Sequence, residues 1–160
     1  MSKYHMQKHE RQIEDDVIIH NILKRGKYAI ISMCRNNEPY IITLSYGYDS
    51  SKNSLYFHSA KEGLKYEFIR TNSLVCGTVI EDKGYKTNQC SQAYRSVVFW
   101  GEMNLIQDVT EKKHGFEIMI DQLEEEPIKI KKRFLENQSN YQHTSILRLD
   151  IKYITGKNSE

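Results

Sequence analysis

Cysteine is scarce in this chain of 160 residues: Cys34, Cys76 and Cys90 make an odd number with no C-x-x-C pair. A disulfide framework and a zinc ribbon are therefore not expected as organising devices. Cys34 and Cys76 lie in apolar runs and read as small buried hydrophobes, while Cys90 sits in a polar stretch with nothing beside it to lower its pKa. No run of eighteen apolar residues occurs, and the first residues (Met1-Ser2-Lys3-Tyr4-His5-Met6) show no signal-peptide core, so no membrane span is expected and the expected location is cytoplasmic. Charge of one sign is missing too. With 23 Lys and Arg against 21 Asp and Glu the net charge is +2, which argues against a nucleic-acid or membrane-surface protein. The basic run Lys129–Arg133 reads as a solvated helix face. The six histidines include no H-E-x-x-H, no metal is expected, and the best reading of His5, His9 and His20 is as surface residues. Repeats, low-complexity tracts and linkers are absent, so residues 1–160 read as a single domain, with 1–10 and 158–160 as flexible tails.

What the chain does have is a tell-tale junction. In Leu55-Tyr56-Phe57-His58-Ser59-Ala60-Lys61-Glu62-Gly63-Leu64-Lys65 a short apolar strand runs into the start of a helix flanked by Ser59 and Lys65. Free N–H groups, a hydroxyl and an ammonium together make an anion site, typically for phosphate. Ser59-x-x-Glu62 is equally a capping box that needs no ligand. Eleven tyrosines, several where a planar ligand could be gripped, are the other enrichment.

Apolar spacing predicts a helix over 13–24, stopped at Gly26. Strands are expected at 28–35 and 39–48 across the turn Asn36-Asn37-Glu38, then at 55–58 after a second turn at 49–53. A helix over 61–71 follows, then a strand at 74–81, a polar loop at 82–93 and a strand at 94–106. Asp108-Val109-Thr110-Glu111 opens a helix to 123, Pro127 breaks it, a short helix covers 128–135, and 144–155 closes the chain as a sixth strand. Six strands in meander order with inserted helices make a mainly β fold, a small antiparallel barrel decorated by helices. A barrel of this size fills its own interior, so a ligand belongs outside it, in a groove or between subunits.

Three segments in order, Pro39-Tyr40-Ile41-Ile42-Thr43-Leu44-Ser45-Tyr46-Gly47-Tyr48, Tyr56 through Lys65, and Tyr94-Arg95-Ser96-Val97-Val98-Phe99-Trp100-Gly101, resemble the FMN-binding split-barrel superfamily of pyridoxamine 5′-phosphate oxidase-like proteins. The nitroimidazole resistance or reductase branch is the nearest match; the opening helix and the ending Leu149-Asp150-Ile151…Ile154-Thr155-Gly156-Lys157 fit it as well. The resemblance spans residues 10–157 and implies a six-stranded split barrel that forms a homodimer, with one flavin mononucleotide in each interface cleft. It implies that Tyr40, Ile41, Ile42, Thr43 and Ser45, followed by Tyr46, run beside the isoalloxazine ring. Phe57, His58, Ser59, Ala60, Gly63 and Lys65 match the segment that holds the ribityl phosphate, with Arg70 a further candidate, and Tyr94, Arg95, Ser96 and Trp100 match the strand that reaches the cofactor from one subunit or the other. FAD, heme or a deazaflavin are alternatives for the same cleft.

The residues allow more than one role. His58 could transfer a proton as the catalytic residue, contact the cofactor, or serve structure alone. Tyr46 and Tyr48 could stack on a ring or simply alternate on a half-buried strand; Trp100 reads as core or interface packing before a flavin lid. Arg95 is a candidate for tuning the ring's potential, and the 82–93 loop for walling the substrate side. The function that follows is a flavin-dependent oxidoreductase passing electrons from NAD(P)H or another donor to a small-molecule acceptor. No G-x-G-x-x-G is present, so NAD(P)H would bind only transiently over the flavin. The alternative is a non-catalytic flavin-binding module for FMN storage, redox sensing or electron carriage.

Overall fold

The computed structural model describes residues 6–160, so residues 1–5 of the expected N-terminal tail fall outside the described residues. The rest of that stretch is partly ordered: His9–Arg11 makes one 3₁₀ turn and Gln12–Ile13 forms a short strand, β1. The strands β2 (Tyr28–Arg35), β3 (Glu38–Asp49), β4 (Ser54–Ser59), β5 (Leu74–Lys86), β6 (Ser91–Ile106) and β7 (Ser145–Asn158) are the six expected from the sequence. All their pairings are antiparallel, in the order β1-β7-β4-β3-β2-β5-β6, and β6 pairs back onto β7. Strands β2 to β7 therefore close into a ring with β1 attached to the end of β7.

Local chemistry sets the connections. Arg35 pairs with Glu38, leaving Asn36 and Asn37 as a two-residue turn with φ of 47° and 67°. Asparagine tolerates the left-handed region that such a turn demands at both positions. The expected loop at 82–93 is instead a hairpin arm, because β5 continues to Lys86 and β6 begins at Ser91, with a register shift between Asp82 and Tyr85. Asp82 Oδ1 holds the arm by accepting from Gly84 N–H at 2.9 Å and Gln92 Nε2 at 2.5 Å. Most of its residues are exposed, so no apolar alternation announced it.

Inside the ring, Ile31, Met33, Leu55, Phe57, Val97, Phe99, Leu147 and Leu149 are fully buried, with Phe68 of α2 (Leu64–Thr71) joining them. These side chains form one apolar core inside the ring. Helix α1 (Asp16–Arg25) buries Ile19, Ile22 and Leu23 against it. It starts later than the periodicity predicted because Asp15 caps it, accepting from Val17 N–H at 2.8 Å, and Ile13 belongs to β1. A second apolar cluster lies outside the ring, where α3 (Val109–Leu123) and α4 (Pro127–Leu135) cover one flank: Tyr56, Ile106, Phe116, Met119, Ile120, Leu135 and Ile146.

Two small residues let α3 lie flush on the sheet. A Cβ on Gly47 of β3 would stand 2.6 Å from Met119 N, and one on Gly115 of α3 would stand 2.7 Å from the Tyr56 ring. Gln122 then ties α3 to its neighbours: its Oε1 accepts from Tyr48 N–H at 2.8 Å, and its Nε2 donates to Gly26 O at 2.6 Å and Leu23 O at 3.1 Å.

Several expectations need correction. Tyr46 and Tyr48 are not ring-stacking groups: both side chains are buried, Tyr46 OH donating to Leu23 O at 2.6 Å and Tyr48 OH to Asn53 Oδ1 at 3.1 Å. Burial pushes both phenols up, Tyr48 to about 12. Cys34 is exposed on the outer face of β2 rather than buried, and Cys76 is half-buried on the outer face of β5. The last residues are held rather than loose: Ser159 is buried, its N–H donating to Tyr94 O at 2.9 Å and its hydroxyl accepting from Arg11 at 3.2 Å.

Candidate functional site

The strand alternation decides which residues can meet a ligand. Along β3, Tyr40, Ile42 and Leu44 pack against the barrel core and Tyr46 is part of it, so Ile41, Thr43 and Ser45 face outward. Along β4 the outward residue beside them is His58, exposed between buried Phe57 and Ser59. Thr43, Ser45 and His58 floor a groove of about 740 Å³, a volume typical of small-molecule sites. Its wall is apolar and comes from the flanking helices: Phe116, Met119, Ile120 and Leu123 of α3, Ile130 and Phe134 of α4. Leu44, Glu124, Arg133, Asn140 and Thr144 complete the lining.

The floor is chemically available. The hydroxyls of Thr43 and Ser45 and the imidazole of His58 have no hydrogen-bond partner among the described residues. The His58 ring lies 5.8 Å from that of Phe116, which in turn lies 5.1 Å from Phe134. Partial burial under this apolar wall lowers the His58 pKa below the ordinary histidine value and favours the neutral ring, an acceptor at one nitrogen and a donor at the other.

Where β4 ends, the expected capping box does not form. Helix α2 begins at Leu64, not Lys61, and its N-cap is Gly63 at φ 134°, with no side chain closing the first turn. Tyr66 OH donates instead to Ala60 O at 2.5 Å and fixes the approach to the helix. The Ser59 hydroxyl is buried, 6% of the residue being exposed, and has no hydrogen-bond partner among the described residues. A buried hydroxyl left unsatisfied costs about 1–3 kcal/mol, so this one fits a hydrogen bond to a ligand oxygen or donor. Lys65 follows in the first turn of α2, its ammonium 5.4 Å from the Tyr66 ring centre.

Beside the groove, α3 is fastened to the sheet by a polar network. Arg148 of β7 bonds Glu111 and, through Nε and Nη2 at 2.8 and 3.0 Å, both oxygens of Asp150. Tyr56 OH donates to Glu111 Oε1 at 3.1 Å, and buried Asp49 meets His114 Nε2 at 2.7 Å. Burial alone would raise these carboxyls. The hydrogen bonds from Ser51 and His114 to Asp49, from Arg148 and Tyr56 to Glu111, and from Arg148 and Ser54 to Asp150 outweigh it, and all three lie below their ordinary values.

Of the residues singled out in the sequence, Ile41, Thr43, Ser45 and His58 share the outer face, and Ser59, Ala60, Gly63 and Lys65 cluster at the start of α2. Tyr40, Ile42, Tyr46 and Phe57 point into the barrel and could reach a ligand only through their backbone. Arg95, Ser96 and Trp100 lie on β6, opposite β3 in the ring. Arg95 is paired with Glu160 at 2.8 Å near α1, and Trp100 stacks with Tyr153 at 5.4 Å. In one chain, then, they do not meet the groove. Sequence reasoning missed the wall: Phe116–Met119–Ile120–Leu123 and Ile130–Phe134 carry helical spacing, which signals burial without saying that the buried face also lines a cavity.

Among the described residues no helix is long and apolar enough to cross a membrane, and no group of His, Cys, Asp and Glu could hold a metal ion. The family model for pyridoxamine 5′-phosphate oxidase matches residues 15–158. No curated protein matches the chain. Among solved structures, a protein assigned to 5-nitroimidazole antibiotic resistance in Bacteroides thetaiotaomicron is 24% identical, with a TM-score of 0.75 over 96% of this chain and 95% of that one. A flavocytochrome from Azotobacter vinelandii is 18% identical, with a TM-score of 0.78 over 98% of this chain and 73% of that one. An FAD-binding protein from Mesorhizobium loti is also 18% identical, with a TM-score of 0.66 over 94% and 96%. At these identities the likeness is one of fold.

Proposed function

The chain belongs to the pyridoxamine 5′-phosphate oxidase family, with the split-barrel fold of that group, and on this footing we propose that it is a flavin-binding oxidoreductase. The observation that carries the proposal is the outward row Thr43, Ser45 and His58, whose polar groups have no hydrogen-bond partner among the described residues and face an apolar wall across a groove of about 740 Å³. A flavin ring asks for a flat apolar bed and a few hydrogen bonds at its polar rim, and the groove offers both. The lone Ser59 hydroxyl, the uncapped start of α2 and Lys65 fit a phosphate. The Mesorhizobium protein is FAD-binding and the Azotobacter one a flavocytochrome, which supports the same class of ligand here. Flavin mononucleotide is the form proposed, with Thr43, Ser45 and His58 at the ring and Ser59 and Lys65 at the phosphate.

When bound, the flavin supplies the transfer of electrons from NAD(P)H or another donor to a small acceptor. This chain's residues would hold and orient it: α3 and α4 would shield one side from water, and the His58 imidazole, whose partial burial favours its neutral form, would donate or accept a proton through its own ring nitrogens.

A homodimer is part of the proposal. Ile41 pairs with Ser32, Ser32 with Cys76, Cys76 with Trp100 and Trp100 with Tyr153, giving an outward row that starts two residues from Thr43 of the groove floor and runs across the ring. Around it Ile41, Leu74 and Ile80 are 63%, 62% and 56% exposed. An apolar patch of this kind supports an interface. A second copy seated there would set its β6, with Trp100, near the first copy's groove, which no single chain achieves.

Absorption spectroscopy of the purified protein, followed by NADH or NADPH, tests the reading. A flavin spectrum that bleaches and recovers with a nitroimidazole supports the oxidoreductase. A flavin that neither donor reduces leaves a storage, sensing or carrier module, and a protein that takes up no flavin removes the proposal.

A further inference from the structure

The basic stretch Lys129–Arg133 does not behave as one solvated face. On α4, Lys129 pairs with Glu126 at 3.0 Å and Lys131 with Asp121 at 2.5 Å, both turned to solvent-side carboxylates. Arg133 has no ion pair or hydrogen bond among the described residues. It sits one residue before Phe134 and three after Ile130, and all three line the groove. An unpaired guanidinium at the edge of an aromatic-walled cavity is an invitation to an anion. Its planar fork matches a carboxylate with two parallel N–H···O bonds, which an ammonium cannot reproduce.

The other lining groups narrow the choice. Phe116 and Phe134, 5.1 Å apart, offer ring faces and edges to a flat molecule. Glu124 reaches the same groove, and no ion pair joins it to Arg133, so one negative charge is favoured and a second is repelled. Resting on the flavin reading above, we infer that Arg133 is the specificity-determining residue of this groove and that its substrate is a planar aromatic monocarboxylate.

The test is a titration of FMN-loaded protein, followed through the absorption of the bound flavin, with 4-nitrobenzoate, neutral nitrobenzene and dianionic 4-nitrophthalate. The inference expects 4-nitrobenzoate to bind at least tenfold more tightly than either, with the preference shrinking as salt is raised. Arg133→Gln should bring nitrobenzoate and nitrobenzene to parity; Arg133→Lys should recover part of the preference. Arg133 is exposed, so neither variant disturbs the core. Parity in the unaltered protein, or a preference that survives Arg133→Gln, overturns the inference. So does a tenfold loss of FMN affinity in Arg133→Gln, which would give the guanidinium to the cofactor's phosphate. If the protein takes up no flavin the proposed function fails, and the same titration on the flavin-free protein, read by calorimetry, decides the role of Arg133 separately.

Discussion

Gly47→Ala should damage both the fold and the groove, because of where this glycine stands. Its added methyl would meet Met119 N at 2.6 Å, Ile118 C at 2.7 Å and Met119 Cα at 2.7 Å, all backbone atoms of α3 that cannot rotate aside. Ordinary contact begins at 3.4 Å, so the helix must withdraw by about 0.8 Å. Withdrawal strains the Gln122 bonds to Tyr48, Leu23 and Gly26 and moves Phe116 and Met119, which form the groove wall. Overpacking of this kind costs about 1–3 kcal/mol. For a chain of 160 residues each kcal/mol lowers the melting temperature by about 2–4 °C, so a fall of roughly 2–12 °C is expected. Thermal melts followed by circular dichroism measure that term, and fluorescence titration with FMN measures the displaced wall as weaker binding. Gly84→Ala is the control: at φ 91° it strains the backbone, but nothing lies within 4 Å of the new methyl. It should cost about 1–2 kcal/mol at most and leave FMN affinity alone. A Gly47→Ala protein that melts and binds FMN like the parent would refute the argument that α3 is seated by backbone contact.

Three further outcomes follow from the same geometry. Ser59→Ala should leave the stability of the flavin-free protein unchanged or slightly higher, since the hydroxyl has no partner to lose, yet weaken FMN binding; with Lys65→Ala each charge-assisted bond is worth about 1.5–3 kcal/mol in the titration. Asp49, Glu111 and Asp150 are all held below their ordinary pKa values, so their contribution is fully present above the unfolded values near pH 4 and is lost as pH falls through the lower folded values. Urea midpoints should therefore drop from about pH 5 downward, and Arg148→Met should flatten that drop; an identical slope in the variant would contradict the network. Leu74→Lys with Ile80→Lys, both on exposed positions of β5, should shift light-scattering mass from two copies to one without lowering the melting temperature of the monomer.

The barrel was legible because its strands alternate or run apolar between clear turns. Asn36-Asn37 announced its hairpin through asparagine's tolerance of positive φ, and Asp108 announced α3, its carboxylate accepting from Glu111 N–H at 2.7 Å. Signals failed where two chemistries compete. Ser59-x-x-Glu62 spells a capping box, yet Gly63 starts the helix and leaves Ser59 unpaired. Tyr46 has the look of a ring-gripping residue, but period-two alternation sends it inward to Leu23 O. The polar hairpin arm around Gly84 projects into solvent on both faces, so hydrophobicity carries no record of it. The groove wall was invisible for a different reason. The stripe Phe116, Met119, Ile120, Leu123 reads the same whether it seals a core or lines a cavity, and only the placement of α4 separates the two.

The most direct measurement is a crystal structure of the FMN-loaded protein. The isoalloxazine ring is expected against Thr43, Ser45 and His58 under the α3–α4 wall, with the phosphate bonded to the Ser59 hydroxyl and Lys65. A ring bound on another face of the barrel, or a Ser59 hydroxyl still without a partner in the loaded form, would contradict it.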